Sequence, residues 1–237
     1  MDNHTFITLS VADGSEMGAY IAMPDEQTPM PGIILLQEAF GVNSHIRDVA
    51  ERLAQEGYVV IAPELFHRTA PSGYEGPYDN FAAVAPHYQA ITKEGLTADL
   101  QTCYKWLQEQ AFVQSDKIGS IGFCLGGRVS FLANAVLPLS AAVSYYGGGI
   151  PALLDEAVNL KAPHLFFWGG QDTHIPQEQV QSIIEAVEAA GKAYLNVVIS
   201  YADHGFHCDQ RSSYNPDAAK EAWAMTLAYF ENKLKQA

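Results

Sequence analysis

The sequence predicts an α/β protein with a mostly parallel sheet of about seven to eight strands and helices on both faces. From residue 32 onward, short continuous apolar runs alternate with segments of helical periodicity. Such runs are typical of strands that are buried on both faces of a parallel sheet. The 237 residues, 48% of them apolar, are enough for one domain of this kind with a full core.

Two segments of alternating polarity come first, and they predict an antiparallel hairpin at one edge of the sheet. Residues 5–11 and 18–23 flank Asp13 and Gly14, a pair that favours a tight turn. Gly57 and Gly191 each follow a helical segment, where glycine ends a helix because it accepts a left-handed conformation. Further strands are predicted at 33–36, 58–62, 117–123, 141–146, 164–168 and 194–199, and helices at 44–55, 96–108, 127–136, 176–190 and 217–233.

We expect one domain over residues 1–237, because the sequence contains no repeat, low-complexity tract or linker. The stretch 68–95 departs from the regular alternation. Pro71, Gly73, Gly76 and Pro77 make its beginning irregular, and its later part has helical character. An excursion of this kind often covers the ligand crevice of an open α/β sheet, so 68–95 is a candidate lid.

Charge and cysteine usage exclude several classes of partner. The formal net charge is -14, and such a surface repels phosphate backbones and anionic membranes. The start of the sequence lacks a secretory signal, and no segment reaches the roughly 20 apolar residues of a membrane span. Three cysteines without CxxC spacing suit a reducing compartment. We therefore expect a cytoplasmic protein that binds neither nucleic acid nor membrane. The sequence leaves the oligomeric state open, with a monomer favoured.

The strongest chemical signal is the run Gly122-Phe123-Cys124-Leu125-Gly126-Gly127, at the junction of a predicted strand and a predicted helix. It matches the G-x-S-x-G nucleophile elbow, with cysteine in place of serine. The thiol of Cys124 would lie at a helix N-terminus, which favours the thiolate. The backbone N–H of Leu125 would form half of an oxyanion hole. A small buried cysteine in a tight turn is the alternative interpretation.

Asp172 and His204 complete a candidate triad, because each follows an apolar strand and would lie at the same edge of the sheet as Cys124. In this arrangement His204 accepts the proton of Cys124 and returns it to a leaving group, while Asp172 orients the imidazole. Asp172 could instead be a turn or capping residue before Pro176. Asp203 is rejected as the acid, because neighbouring side chains in extended backbone point to opposite faces.

The sequence also suggests roles for Glu38, Ala39, Tyr145 and Tyr146. Glu38 follows a buried strand and is either a carboxylate in the crevice or a salt-bridged turn residue. Ala39 is placed to give the second oxyanion N–H. Tyr145 and Tyr146 end a strand, and one of them is expected to pack in the core. A metal site on His204-x-x-His207-Cys208-Asp209 is disfavoured, because no second ligand pair supports it.

The sequence resembles the dienelactone hydrolase family of the α/β-hydrolase fold, a three-layer architecture, over nearly its whole length. The resemblance implies a Cys124, His204 and Asp172 triad, Glu38 as an auxiliary carboxylate near the resting thiol, and hydrolysis of an ester or lactone without a cofactor. It is carried by residues 37–43, 122–127, 145–147, 169–172 and 204–206. We expect the substrate pocket to include Tyr145, Phe40, Phe206 and Arg211.

One departure from the family pattern concerns the substrate. Members that act on dienelactone are expected to present arginines to its carboxylate, one of them four residues after the triad histidine, where this sequence has Cys208. No arginine occurs between Arg68 and Arg128, and a lysine such as Lys93 offers only a point charge. The anionic dienelactone is therefore a disfavoured substrate. A non-catalytic ligand-binding or thiol-sensing protein is the alternative function, and a metal-dependent hydrolase ranks third.

Overall fold

A computed structural model describes residues 4–25 and 28–236, and they form an α/β fold with a mostly parallel sheet. The strand order in the sheet is β1-β2-β4-β3-β5-β6-β7-β8. The described strands are β1 (His4–Ser10), β2 (Glu16–Ala22), β3 (Met30–Leu36), β4 (Val59–Pro63), β5 (Val113–Phe123), β6 (Ala141–Tyr145), β7 (His164–Gly169) and β8 (Tyr194–Ile199). The α-helices are α1 (Ser44–Gln55), α2 (Phe81–Gln89), α3 (Lys93–Glu109), α4 (Leu125–Val136), α5 (Gln177–Ala189) and α6 (Pro216–Phe230).

The chain divides into two compact units, Met1–Gly119 and Ser120–Ala237. In the first unit, the predicted hairpin is confirmed: β1 pairs antiparallel with β2, and Gly14 adopts a φ of 85° in the turn. β2 then pairs antiparallel with β4, and β3 pairs parallel with β4, so that Ile33 lies beside Val60. Helix α1 begins where the Asn43 side chain accepts a hydrogen bond from the Ile46 N–H at 3.2 Å.

The stretch 68–95 has an irregular first half and then helix α2, as the sequence predicts. Its start is held by Arg68, which donates to both carboxylate oxygens of the fully buried Asp99 at 2.9 and 2.8 Å. Its middle contacts the loop after β3, since the ring of Tyr78 lies 4.6 Å from that of Phe40 and Val84 packs against Phe40. A lid role for 68–95 stays a prediction.

The second unit contains the parallel strands β6, β7 and β8. Val143 lies beside Leu165, and Leu165 beside Leu195. A buried polar network joins helix α4 to this sheet: the Ser144 hydroxyl donates to the Gly127 carbonyl at 2.6 Å and contacts His164 Nε2 at 2.8 Å. Because the Ser144 proton is used on Gly127, the Nε2 of His164 carries the hydrogen.

Strand β8 differs from its prediction. The run 194–199 was expected to be buried on both faces, but Leu195 is 53% exposed and Val198 is 46% exposed. The reason is its position, because β8 is the last strand in the sheet order and pairs only with β7. A 3-10 helix at Ile150–Asn159, which the sequence analysis did not predict, follows Gly149 at a φ of 86°. Among the described helices, none combines the length and the apolar character that crossing a membrane requires.

Candidate active site

Cys124 lies at the sharp turn between β5 and α4, in a conformation that few side chains adopt. Its φ is 54° and its ψ is -112°. Only a neighbour without a side chain fits beside this turn: a Cβ on Gly122 would lie 2.0 Å from the carbonyl oxygen of Gly126. On the other side, a Cβ on Gly127 would lie 2.7 Å from the Cα of Gly147. The glycines of the elbow are therefore required by backbone contact.

The turn aims the Cys124 sulfur at His204. The Sγ atom lies 3.1 Å from His204 Nε2, within hydrogen-bond distance. Cys124 is partly exposed, whereas Cys103 and Cys208 are buried. The sulfur also lies at the N-terminus of α4, where the helix dipole favours a negative charge. Of the cysteines, Cys124 thus has the surroundings of a nucleophile.

Asp172 holds the other side of the imidazole. Its Oδ2 accepts a hydrogen bond from His204 Nδ1 at 2.8 Å. Its Oδ1 accepts from the backbone N–H groups of His174, at 2.7 Å, and Ile175, at 3.1 Å. The Asp172 carboxylate therefore contacts the His204 ring and also holds the turn that follows it, whereas the next helix begins after Pro176 without a side-chain cap. Its role as the triad acid stays a prediction. Asp203 is exposed, and its carboxylate accepts the backbone N–H of His204 at 2.6 Å instead of contacting the ring.

The charges around the imidazole favour its protonated form. Burial disfavours the imidazolium, but the hydrogen bonds and negative charges of Asp172 and Cys124 raise the pKa of His204 to about 10. Burial of Asp172 opposes its charge, yet the bond to His204 and the two backbone N–H groups keep the pKa of this carboxyl below its ordinary value. Sulfur, imidazole and carboxylate form one continuous relay.

Two aromatic rings flank His204, which is 7% exposed. The Tyr146 ring centroid lies 5.1 Å away, and this tyrosine has a φ of 37°. The exposed His174 ring lies 5.2 Å away at an interplanar angle of 69°. Tyr146 was considered from its strand end, but His174 was missed. The only signal for it was its place two residues after Asp172, which spacing alone does not distinguish from an ordinary turn.

Arg211 lies against the residue that follows His204. Gly205 has a φ of +78°, and a Cβ built on it would lie 2.4 Å from Arg211 Nη1 and 2.6 Å from Cζ. The guanidinium therefore occupies the space that any side chain at 205 would take. The sequence analysis expected Arg211 in the substrate pocket. The structure places its guanidinium against Gly205, and the pocket role stays a prediction.

The remaining predicted residues of this unit lie in the core. Tyr145 is fully buried, and its hydroxyl contacts the Thr226 hydroxyl at 2.7 Å. Phe206 is fully buried and packs 5.2 Å from the Tyr146 ring. The His207 ring packs 5.0 Å from Phe123, among aromatic rings. Leu125 is buried as the first residue of α4, and the use of its N–H in an oxyanion hole stays a prediction.

Three predicted residues belong to the first unit. Glu38 is fully buried, and its carbonyl oxygen accepts a hydrogen bond from Gln37 Nε2 at 3.1 Å. Ala39 and Phe40 are buried together with Val84 in a small apolar cluster. Their roles as auxiliary carboxylate, oxyanion N–H and pocket wall stay predictions.

Comparisons with known proteins agree over nearly the whole chain. The sequence profile of the dienelactone hydrolase family matches residues 17–234. A Synechocystis protein, provisionally named a carboxymethylenebutenolidase, is 35% identical over 230 residues, which are 93% of this chain and 93% of the relative. The carboxymethylenebutenolidase of Pseudomonas putida is 32% identical over 215 residues, 90% of each protein. A solved Klebsiella pneumoniae structure, provisionally named a dienelactone hydrolase, has a TM-score of 0.85 at 35% identity and covers 96% of this chain and 98% of its own.

Proposed function

The chain belongs to the dienelactone hydrolase family and is a hydrolase that acts on ester or lactone bonds, and we propose that it does so through a Cys124, His204 and Asp172 triad. The observation that carries this is the relay of 3.1 Å from sulfur to imidazole and 2.8 Å from imidazole to carboxylate. Its dimensions are those of a nucleophile, its base and an orienting acid.

In the first half of the reaction, the Cys124 thiolate attacks the substrate carbonyl carbon and forms a tetrahedral intermediate. The N–H groups of Leu125 and Ala39 would stabilise the oxyanion. As the intermediate collapses, the carbon–oxygen bond of the leaving alcohol breaks. The His204 imidazolium gives that alcohol its proton, and an acyl-thioester remains on Cys124.

In the second half, neutral His204 takes a proton from water, and the resulting hydroxide attacks the thioester carbonyl. The carbon–sulfur bond breaks, the carboxylic acid leaves, and the thiolate with its imidazolium partner is restored. Asp172 stabilises the imidazolium in both halves. The bonds and protons of the two halves balance without a redox step or a cofactor.

The leaving-group chemistry of sulfur limits the substrate class. A thiolate is a good nucleophile and also a good leaving group, so the tetrahedral intermediate of an unactivated amide would return to substrate. Activated esters, enol lactones and thioesters have leaving groups that compete with the thiolate. The P. putida relative is named a carboxymethylenebutenolidase, and a lactone is therefore the first substrate class to test. A free thiolate also suits a reducing compartment such as the cytoplasm.

The test compares Cys124→Ala and Cys124→Ser with Cys208→Ala, which removes a buried thiol outside the relay. Turnover of an enol lactone and an activated aryl ester should fall by about 10³-fold or more in Cys124→Ala. The Cys208 variant should keep its activity, provided that it folds. Mass spectrometry of the wild type with a slow ester should show the acyl group on Cys124.

Unchanged turnover in Cys124→Ala would remove the thiol mechanism. Alkylation of Cys124 by iodoacetamide, together with no turnover across lactones, aryl esters and thioesters, would instead indicate the thiol-sensing alternative.

A further inference from the structure

Tyr146, which follows β6, has a strained backbone that the triad mechanism does not explain. Among residues 4–25 and 28–236, Cys124 and Tyr146 are the two non-glycine residues with a positive φ, and that of Tyr146 is 37°. Its backbone N–H donates to the Phe167 carbonyl at 2.8 Å, which ties the strained residue to β7. Glycine would adopt this conformation without steric cost. Because such outliers cluster at functional sites, the tyrosine side chain is the feature to explain.

The side chain of Tyr146 is fully buried, and its ring packs against the triad histidine. The ring centroid lies 5.1 Å from that of His204, at an interplanar angle of 58°. Phe206 lies edge-on to the tyrosine ring, at 5.2 Å and 74°, and Phe123 lies 6.3 Å from it. The Tyr146 ring is therefore held by its neighbours, and the imidazole packs against a fixed aromatic surface.

The residue before Tyr146 contacts the backbone of the nucleophile. The Tyr145 carbonyl accepts a hydrogen bond from the Cys124 N–H at 3.0 Å. A Cβ on Gly127 would lie 2.7 Å from the same carbonyl oxygen, so the elbow and the end of β6 are in close contact. Consecutive residues thus contact the backbone that carries the sulfur and the ring that carries its base. This places Tyr146 where it can control the distance between Cys124 and His204.

The hydrogen bond to Asp172 does not by itself fix the His204 imidazole. It holds Nδ1 and still allows the ring to turn about the bond. Because the two nitrogens of an imidazole do not point along one line, such a turn moves Nε2 away from Cys124 Sγ, which lies 3.1 Å from it. On the basis of the triad proposed above, we propose that Tyr146 is a positioning residue: its ring blocks this turn and keeps Nε2 within hydrogen-bond distance of the sulfur. The strained backbone brings the ring to this place.

The test replaces Tyr146 by phenylalanine, which keeps the ring, and by leucine, which removes it. Both carry a Cβ, so both keep the backbone strain. Phe166→Leu is the matched control, because it removes a fully buried ring from the neighbouring strand β7, where Phe166 stacks on His164 at 4.1 Å. The readouts are kcat and KM for an activated ester, and the distance from Cys124 Sγ to His204 Nε2 in a crystal structure of each protein.

The expected result is a loss that only the leucine variant at position 146 shows. In Tyr146→Leu, kcat and kcat/KM should both fall by about 10²-fold with KM little changed, because a misplaced base slows the chemical steps and not substrate binding. The distance from Sγ to Nε2 should lengthen beyond hydrogen-bond reach. Tyr146→Phe and Phe166→Leu should match the wild type in both readouts. A tyrosine that only lined the substrate pocket would raise KM and leave kcat and the distance unchanged.

The inference requires the loss of kcat and the longer distance together in Tyr146→Leu, and either one alone would overturn it. An equal loss in Tyr146→Phe or Phe166→Leu would overturn it as well, since the effect would then not come from the ring beside His204. If the leucine variant does not fold, Tyr146→Gly takes its place under the same criteria, because glycine adopts the positive φ without strain. The distance is measured without turnover, so a failure at this point is distinct from a failure of the triad, which would appear as full activity in Cys124→Ala.

Discussion

At the scale of single residues, the backbone of Cys124 is the feature on which the site depends. A non-glycine residue at a φ of 54° is strained. The turn persists because the neighbouring backbones approach more closely than any side chain allows, and because the Cys124 N–H donates to the Tyr145 carbonyl at 3.0 Å. The geometry that presents the sulfur to His204 thus costs conformational energy that the packing around the elbow must offset.

Gly122→Ala tests this dependence. The new Cβ would lie 2.0 Å from the Gly126 carbonyl oxygen, a backbone atom that cannot move without distorting α4. We expect a loss of about 2–4 kcal/mol in the free energy of unfolding and a loss of ester turnover. Gly191→Ala is the control, because Gly191 also has a positive φ, of +67°, but has open space around it. It should cost only about 1 kcal/mol. Urea unfolding and kcat/KM measure both, and equal losses in the two variants would contradict the packing explanation.

In the proposed mechanism, the protonation of His204 sets the alkaline limit of activity. The pKa of His204 is raised to about 10, so its proton stays on the ring until the pH approaches that value. The imidazolium protonates the leaving alcohol, and kcat/KM should therefore fall as pH rises through about 10. Asp172→Asn removes one of the two anionic partners, and the limb should move to lower pH with a loss of about 10²- to 10⁴-fold in kcat/KM.

Asp203→Asn is the matched control for this pH profile, since Asp203 contacts only the backbone N–H of His204. The alkaline limb of the kcat/KM profile of Asp203→Asn should stay close to that of the wild type. An alkaline limb that does not move in Asp172→Asn would mean that a group other than His204 controls it.

The proximity of Cys124, His204 and Asp172 could be predicted from sequence, because an elbow and two strand ends are local patterns that the fold brings to one edge. Arg211 and His174 could not be assigned in this way. The contact of Arg211 with Gly205 depends on the course of a loop, and the proximity of His174 to His204 depends on a turn held by Asp172. No periodicity of the sequence encodes either contact.

At the scale of secondary structure elements, a buried neutral histidine joins β6, β7 and α4. Burial lowers the pKa of His164 to about 3. Its Nδ1 contacts Asn134 Nδ2 at 3.2 Å and its Nε2 contacts the Ser144 hydroxyl, which also bonds the first turn of α4. Helix α4, which begins next to Cys124, is thereby attached to the sheet by hydrogen bonds to His164 and Ser144. Burial keeps the His164 imidazole in its neutral form.

His164 should make the protein sensitive to acid. Its folded pKa of about 3 lies below the ordinary value of 6.5. The stability linked to this group is present above pH 6.5 and is lost as the pH falls toward 3, because only the unfolded chain binds the proton. The full loss amounts to about 3–5 kcal/mol. Urea unfolding between neutral and acid pH should show it in the wild type and in His4→Gln, which lacks only an exposed histidine, and not in His164→Gln. Parallel pH dependence in the wild type and His164→Gln would contradict the assignment.

A buried carboxylate, that of Asp99, anchors the start of the stretch 68–95. Asp99 accepts hydrogen bonds from Arg68 and contacts His67 Nε2 at 3.1 Å. Asp99→Asn would leave Arg68 and His67 without their carboxylate, and we expect it to cost about 2–4 kcal/mol of stability. Glu75→Gln is the control, because the pair of Arg47 and Glu75 at 2.7 Å is largely exposed. That variant should cost at most about 1 kcal/mol. Chemical unfolding measures both, and a comparable cost in the two variants would count against an anchoring role.

The elements differ in how well the sequence predicts them. Helix α1 was placed at its observed bounds, with Gly57 as the stop signal after its end. The structure adds the cap of Asn43 at its start. Strand β8 was located correctly, but its burial was wrong, since an apolar run does not reveal whether a further strand pairs with it. The 3-10 helix after Gly149 was not predicted, because ten residues with a kink at Leu153 show no sustained helical period.

At the scale of the whole molecule, the excess of acidic over basic residues affects which substrates can approach the site. A net charge of -14 produces a negative field that reaches about 30 Å at low ionic strength and about 8 Å at physiological ionic strength. An anionic substrate is repelled as it approaches, whereas a neutral one is unaffected. A substrate carboxylate is already disfavoured because Cys208 stands where an arginine would bind it. The negative field of the protein disfavours such a substrate further.

Salt should therefore separate the two kinds of substrate. With a lactone that carries a carboxylate, kcat/KM should rise about two- to fivefold between low and physiological ionic strength, because the repulsion is screened. With the methyl ester of the same lactone, kcat/KM should stay constant, and this neutral compound is the internal control. A fall with salt for the carboxylate would mean that a local cation dominates over the net charge. Arg211, whose guanidinium lies against Gly205, is the first cation to test, and Arg211→Gln would then abolish the fall.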